Sequence, residues 1–155
     1  MSETTTTLAA RLDDDLKAAM RSGDTVRRDT IRLARSAIKN AEIEARAPLD
    51  DDAQVKVLRG IVKQHKESIA QFSAGGRDDL VARETQEMGV LENYLPAQMD
   101  AAAIEAVASE VIAAEGASGP GDMGRVMKAV MSRVGATADG KDVRVTVQRR
   151  LGGDR

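Results

Sequence analysis

The side chains that most often perform catalysis are scarce in this chain. It has one histidine, His65, and no cysteine, which excludes thiolate nucleophiles, thiolate metal sites and a disulfide framework. His65 falls between Val62 and Ile69 on an apolar helical face, where neither Gln64 nor Glu67 supplies a carboxylate at metal-binding spacing. We therefore predict a half-buried histidine with one satisfied hydrogen bond, and no metal site.

Motifs for a nucleophile or a bound nucleotide are also missing. The sequence contains no Gly-x-Ser-x-Gly, no Walker-type loop and no Gly-rich loop after a strand. The acidic run of residues 50–52 could suggest a cation site, but three adjacent residues at a helix start point in different directions. Asp51 with Gln54 instead resembles a capping box. We predict no catalytic residue and no cofactor.

Positive charge at helical spacing is the feature that indicates binding. Two predicted helices each place four cations on one face: Arg28, Arg32, Arg35 and Lys39 on the second, and Lys56, Arg59, Lys63 and Lys66 on the third. Such a stripe can follow a phosphate backbone and release one counterion for each phosphate it neutralises. The alternative, which the pattern alone favours, is a solvated helix face whose cations pair with neighbouring carboxylates.

A second cationic cluster lies near the C-terminus. Between residues 124 and 151 only Asp139 and Asp142 oppose seven basic side chains, namely Arg125, Lys128, Arg133, Lys141, Arg144, Arg149 and Arg150. Because the net charge of the chain is −2, RNA affinity would have to come from such local patches, and we expect no DNA partner. Gly124 costs about 1 kcal/mol relative to alanine inside a helix, which suggests that a neighbouring helix or a ligand phosphate approaches it closely.

The elements that position these residues are predicted to be helices. The composition is rich in alanine and charge and contains three prolines, which favours helix over strand. Apolar residues recur every three or four positions, and they predict helices over about 8–21, 24–46, 51–73, 78–94, 101–115, 123–134 and from 139 onward. The last segment alternates like a strand around Val145, but no other segment offers it a partner. We predict an all-α fold.

A boundary is expected at Leu95-Pro96. It separates an N-terminal subdomain of about four helices, residues 1–96, from a three-helix tail subdomain, residues 97–155. No apolar window approaches transmembrane length, and residues 1–7 contain no apolar signal region. From the sequence we therefore expect no membrane association and a cytoplasmic location.

Five segments resemble the signatures of the GatB/YqeY family, and in particular its free-standing YqeY-like members. They are residues 32–42, 63–69, 91–98, 122–128 and 138–141, which are RLARSAIKNAE, KQHKESI, LENYLPAQ, DMGRVMK and ADGK. They follow one another in family order and cover nearly the whole chain. Two positions depart from the pattern, because Ala136-Thr137 replaces a Gly and a basic residue, and His65-Lys66 replaces a pair of arginines.

The resemblance implies a function in RNA binding. The family includes the helical, tRNA-contacting tail domain of the B subunit of aspartyl/glutamyl-tRNA amidotransferase, whose chemistry resides in the preceding domain. By resemblance, this chain would be a tRNA-binding accessory module with no catalytic centre, in partnership with an amidotransferase or another translation-related protein. By this resemblance, the residues expected to contact tRNA are Gly124, Arg125, Lys128, Gly140 and Lys141. The neighbouring Arg144 is added because of its positive charge.

Two alternatives from other classes stay open. The first is a component of a glutamine-dependent carbon–nitrogen ligase, an activity with glutamine as amido-N-donor that is associated with the family by resemblance. The residues argue against intrinsic activity, because no nucleophile, nucleotide loop or metal cluster is evident. The second is a protein-interaction module whose helical faces bind another protein, since a shared fold does not by itself transfer function.

Overall fold

Seven α-helices joined by short turns make up residues 6–152, the part of the chain that the computed structural model describes, and no β-strand occurs among them. The all-α prediction is therefore confirmed. In chain order the helices are α1 Leu8–Ser22, α2 Thr25–Ala45, α3 Asp51–Ala74, α4 Asp78–Glu92, α5 Ala101–Glu115, α6 Met123–Val134 and α7 Gly140–Arg150. Short 3-10 turns, Pro120–Asp122 and Gly135–Thr137, precede and follow α6.

Side-chain caps begin most of these helices. The Asp24 side chain accepts a hydrogen bond from the Arg27 amide at 3.0 Å, and the Asp139 side chain accepts one from the Lys141 amide at 2.8 Å. The cap at Asp139 explains why the strand-like segment after it is helical: the cap satisfies an amide that would otherwise lack a partner at the start of the helix.

The start of α3 differs from the predicted capping box. Asp50 is the cap, and its side chain accepts from the Ala53 amide at 2.8 Å. The Asp51 carboxylate accepts instead from the Leu8 amide at 3.3 Å, which ties α3 to the start of α1. The side-chain amide nitrogen of Gln54 donates to the Leu49 carbonyl at 2.9 Å. Asp50 and Asp51 therefore serve different backbone amides, in keeping with their divergent directions at the start of the helix.

The chain divides into two compact units, Met1–Leu95 and Pro96–Arg155. In the first, α3 packs against α4, α1 against α2, and α2 against both α3 and α4. Its most buried large side chains are Leu12, Ile31, Leu58 and Leu91. In the second unit, α5, α6 and α7 pack against one another around a core that includes Ile104, Ala108, Val111, Val126, Val130, Val143 and Val147. Within residues 6–152, no helix has both the length and the apolar character needed to cross a membrane.

Tyr94 connects α1 with the chain segment that follows α4 through side-chain contacts. The ring is buried, and its hydroxyl donates a hydrogen bond to the Asp15 carboxylate, which Arg27 approaches to 3.6 Å. The Arg11 guanidinium lies 5.1 Å from the ring centroid, a distance suited to a cation–π contact. Burial, followed by the hydrogen bond to Asp15, raises the pKa of Tyr94 to about 12.

Replacing Tyr94 with phenylalanine is expected to lower the free energy of unfolding by about 1.5–3 kcal/mol, because a hydrogen bond to a charged acceptor is lost. The tyrosine contributes its full stabilisation below its unfolded-state pKa of about 10, and this is lost as the pH rises from about 10 to about 12. Urea unfolding at pH 8 and pH 11 measures both effects. If the parent and the variant lose equal stability between these pH values, the hydrogen bond to Asp15 does not contribute the expected free energy of unfolding.

Candidate nucleic-acid interface

Arg125, predicted to contact RNA, is held by the protein itself. Its guanidinium donates to the Glu115 carbonyl at 2.7 Å, to the Glu115 carboxylate at 3.1 Å, and to the Asp122 carboxylate at 2.9 Å. The Asp122 carboxylate also accepts from the Ser118 amide, and this bond, followed by Arg125, lowers the pKa of Asp122. Arg125 therefore joins the end of α5 to the start of α6, and its charge is already paired.

Most of the other tail arginines are paired as well. Arg133 contacts Glu110 at 2.6 Å, while Arg149 and Arg150 contact Glu105 at 3.1 and 2.8 Å. All of these carboxylates belong to α5. This helix lies outside residues 124–151, the segment in which Asp139 and Asp142 are the only acidic residues. Between residues 96 and 155 eight basic side chains face eight acidic ones. The tail subdomain as a whole is therefore not basic in net charge, although the cluster within residues 124–151 is, because the carboxylates of α5 lie outside that cluster.

Three tail cations remain exposed and unpaired. The side chains of Lys128, Lys141 and Arg144 make no hydrogen bond or ion pair within the described part of the chain. Lys128 lies one turn from Met131 on α6, and the Met131 methyl group lies 3.9 Å from the position that a Cβ on Gly140 would occupy. The row of α6 that holds Lys128 therefore borders the start of α7, which holds Lys141 and Arg144. We call these three residues the tail cation set.

The two tail glycines have different surroundings. A Cβ added to Gly124 would meet no atom within 4 Å outside its own local backbone, so no neighbouring helix approaches it. Of the two explanations offered for this glycine, close helix packing is therefore excluded, and approach by a ligand remains a prediction. Gly140 has only the ordinary contact with Met131, and it occupies the first position of α7 behind the Asp139 cap.

The α2 stripe is partly neutralised. Arg28 contacts Asp29 at 2.8 Å, which lowers the pKa of that carboxyl, and Arg35 contacts Asp13 of α1 at 2.9 Å. Arg32 and Lys39 have no hydrogen bond or ion pair among residues 6–152. The stripe therefore combines the two expected roles, since half of its cations serve as ion-pair partners and half stay available.

The α3 stripe is more open to solvent. Lys56, Lys63 and Lys66 are exposed and lack ion-pair partners within the described residues. Arg59 is partly buried, and this burial lowers its pKa. Because its three lysines are exposed and unpaired among the described residues, this face is the second available cationic surface of the first unit.

His65 is more buried than predicted, and its partner comes from another helix. Its side chain is 9% exposed, and its Nδ1 lies 2.6 Å from the Glu84 carboxylate of α4. With Glu87 it forms a group of three possible metal ligands whose atoms lie within 4.8 Å of one another. One oxygen of Glu84 binds His65 Nδ1 and one oxygen of Glu87 binds Arg83 at 3.1 Å, while His65 Nε2 is buried without a hydrogen-bond partner among the described residues. The absence of a metal stays a prediction, with this group as the place where one would bind.

Comparison with known proteins shows one family and several curated relatives. The family model described as Yqey-like protein matches residues 9–151. A protein of Kluyveromyces lactis named altered inheritance of mitochondria protein 41, mitochondrial, is 43% identical over 86 residues, which are 55% of this chain and 46% of that protein. The protein of the same name from Eremothecium gossypii is 41% identical over 108 residues, 69% of this chain and 59% of that protein. The chain thus spans about half the length of the curated relatives it matches.

These relatives correct one expectation of the sequence analysis. Their printed names describe them as mitochondrial proteins, and so the expected cytoplasmic location is wrong on this comparison. That expectation rested on the lack of an apolar signal region in residues 1–7. Such a test detects secretory signals but has no bearing on organelle import, because transit peptides are amphipathic rather than apolar.

Proposed function

This chain belongs to the YqeY-like protein family, and from that premise we propose that it is an RNA-binding accessory protein, with tRNA as its RNA, that has no catalytic centre of its own. The observation that supports this best is the tail cation set, Lys128, Lys141 and Arg144, which is exposed and has no carboxylate partner among the residues that the structure describes. Cations that are already solvated and unpaired can neutralise phosphates without first breaking an ion pair.

The interaction is expected to be weak and dependent on salt. Three free cations neutralise about three phosphates, fewer than the tail sequence suggested, because four arginines are committed to Glu105, Glu110, Glu115 and Asp122. The shape of the RNA must then supply the selectivity. We expect a folded tRNA to be preferred to a plain RNA duplex, because protein side chains cannot read the bases in the deep major groove of a duplex. The tail motifs support an amidotransferase or another translation-related protein as the protein partner.

A protein-interaction module is the second candidate function. Leu33 and Ile43 are 52% and 65% exposed on α2, so this helix presents two large apolar side chains to solvent. Scattered exposed apolar residues are common on soluble domains, however, and two of them do not make a large patch. The RNA-binding proposal therefore has the stronger support.

Crosslinking in cells, followed by recovery of whatever is bound to the protein, separates these two functions. Enrichment of tRNA over its abundance in total RNA is the result expected from the proposal. Recovery of one stoichiometric protein and no RNA would favour the interaction module instead. The matched control is the variant with Lys128→Glu and Lys141→Glu, from which tRNA should be lost while any protein bound elsewhere is retained.

The glutamine-dependent ligase alternative predicts a different result. The purified chain is expected to release no ammonia from glutamine above a control without protein, because it has no cysteine and its one histidine is buried against Glu84. A coupled ammonia assay on protein purified to homogeneity makes this measurement. Ammonia release that follows the protein through successive purification steps would contradict the proposal.

A further inference from the structure

Methionines are concentrated on one side of α6. Three of the seven methionines of the chain, Met123, Met127 and Met131, follow one another at spacings of four residues in this helix. Residues four apart lie on the same side of a helix, so these side chains form a continuous row. We call them the methionine row. Because leucine has a similar helix propensity and volume, folding alone does not require sulfur at these positions.

The methionine row combines access to solvent with packing against the core. Each of its three side chains is partly exposed, and each packs against the hydrophobic core that α5, α6 and α7 share. A fully buried thioether would be protected from an oxidant dissolved in water. A well exposed one, such as Met20 on α1 at 54% exposure, would be oxidised without disturbing the packing of a core. Oxidation of the row can therefore both occur and change the structure.

Met131 also contacts the start of the helix that carries two residues of the tail cation set. Its methyl group lies 3.9 Å from the position that a Cβ on Gly140, the first residue of α7, would occupy. Lys141 is the next residue of α7, and Arg144 follows within one turn, while Lys128 belongs to α6 itself. A change in how α6 packs against α7 therefore alters the spacing of these three cations.

We propose that the methionine row is a redox-sensitive element of the second unit, in which oxidation of its thioethers by a peroxide loosens α6 from α7. A sulfur lone pair attacks one oxygen of hydrogen peroxide and forms the S–O bond. The O–O bond breaks, the proton of the attacked oxygen moves to the other oxygen, and that oxygen leaves as water. The sulfur is thereby oxidised to a sulfoxide and the peroxide is reduced. Two thiols reverse the reaction by forming a disulfide and releasing the oxygen as water.

The sulfoxide weakens the packing because it is polar. Its oxygen accepts hydrogen bonds, which an apolar core of valine, alanine and leucine side chains does not donate, so the oxidised side chain turns toward water and leaves its place against the core. The consequence for RNA rests on the proposed function: once α7 is displaced from α6, the tail cation set no longer presents its charges at one spacing, and affinity for tRNA falls. The loss of packing does not depend on RNA.

Treatment of the full chain with hydrogen peroxide tests the proposal, with peptide mass spectrometry to measure the sulfoxide at each methionine. Once the methionine row is oxidised, the backbone amides of α6 and α7 are expected to exchange with deuterium at least about tenfold faster, while those of α1 to α4 keep their rates. The affinity for labelled tRNA should fall by about tenfold. Incubation with a thiol-dependent methionine sulfoxide reductase should restore both values.

Two variants separate the methionine row from the other methionines. The triple substitution Met123→Leu, Met127→Leu and Met131→Leu conserves side-chain volume, and peroxide should then change neither the exchange rates nor the tRNA affinity by more than about twofold. The matched control, Met20→Leu, removes the exposed methionine of α1 and should respond to peroxide as the parent does.

Three results would overturn the inference: a methionine row that stays reduced while Met20 is fully oxidised, an oxidised row with unchanged exchange in α6 and α7, or a triple leucine variant that responds as the parent does. Failure of the RNA proposal gives a different result, because the untreated parent would then not bind tRNA while its exchange rates still respond to peroxide. Faster exchange with unchanged tRNA affinity would overturn the consequence for RNA alone.

Discussion

Replacing Leu58 with alanine is expected to lower the free energy of unfolding by about 2–5 kcal/mol, because the substitution removes buried methyl groups and leaves a cavity. Leu58 is 0% exposed on α3, the helix that packs against α1, α2 and α4. Urea unfolding followed by circular dichroism measures the loss.

Leu33→Ala is the matched control for this substitution. The same atoms are deleted, but the leucine is 52% exposed on α2, so the loss should stay within about 0.5 kcal/mol. The difference between the two variants isolates burial from the change in helix propensity. Equal losses at the two positions would contradict the packing of α3 described above.

Reversing Lys128 and Lys141 together to glutamate is expected to abolish measurable tRNA binding. The change removes two of the three tail cations that are unpaired within residues 6–152, and it places two negative charges where phosphates are expected. Both side chains are exposed, so helicity and the unfolding transition should be unchanged. Filter binding or fluorescence anisotropy with labelled tRNA in low salt makes the comparison.

The control for this reversal uses Lys63 and Lys66 of the α3 stripe. They are also exposed lysines without ion-pair partners in residues 6–152, so Lys63→Glu with Lys66→Glu makes the same change in net charge elsewhere. If the tail binds the RNA, this control should retain most of its affinity. Equal weakening by both pairs would mean that the RNA responds to overall charge, and parental affinity in the Lys128/Lys141 variant would exclude the tail.

The helices could be predicted because local information specifies them. Apolar residues at three- and four-residue spacing, such as Leu12 and Leu16, define buried faces without knowledge of the partner helix. Helix ends follow from short-range chemistry, as at Gly23, whose φ of 74° suits glycine, and at Asp139, whose side chain caps α7. For this reason even the strand-like segment around Val145 was assigned to the correct class.

The candidate site was less predictable because its electrostatics depend on contacts that are distant in sequence. Arg149 and Arg150 bind Glu105, which lies about 45 positions earlier in the chain, and His65 binds Glu84 on the next helix. A count of charges along the tail cannot include these partners. Four of the seven tail cations have carboxylate partners that the count did not include, and which of the seven contact RNA stays a prediction.

The affinity of the full chain for tRNA, measured as the salt concentration is raised, tests the central claim most directly. With about three phosphates neutralised, log affinity should fall against log salt with a slope of about −2 to −3, and a plain RNA duplex should bind more weakly throughout. No binding to tRNA even at the lowest salt, or binding that does not change with salt, would contradict the proposal that this protein binds RNA through its unpaired tail cations.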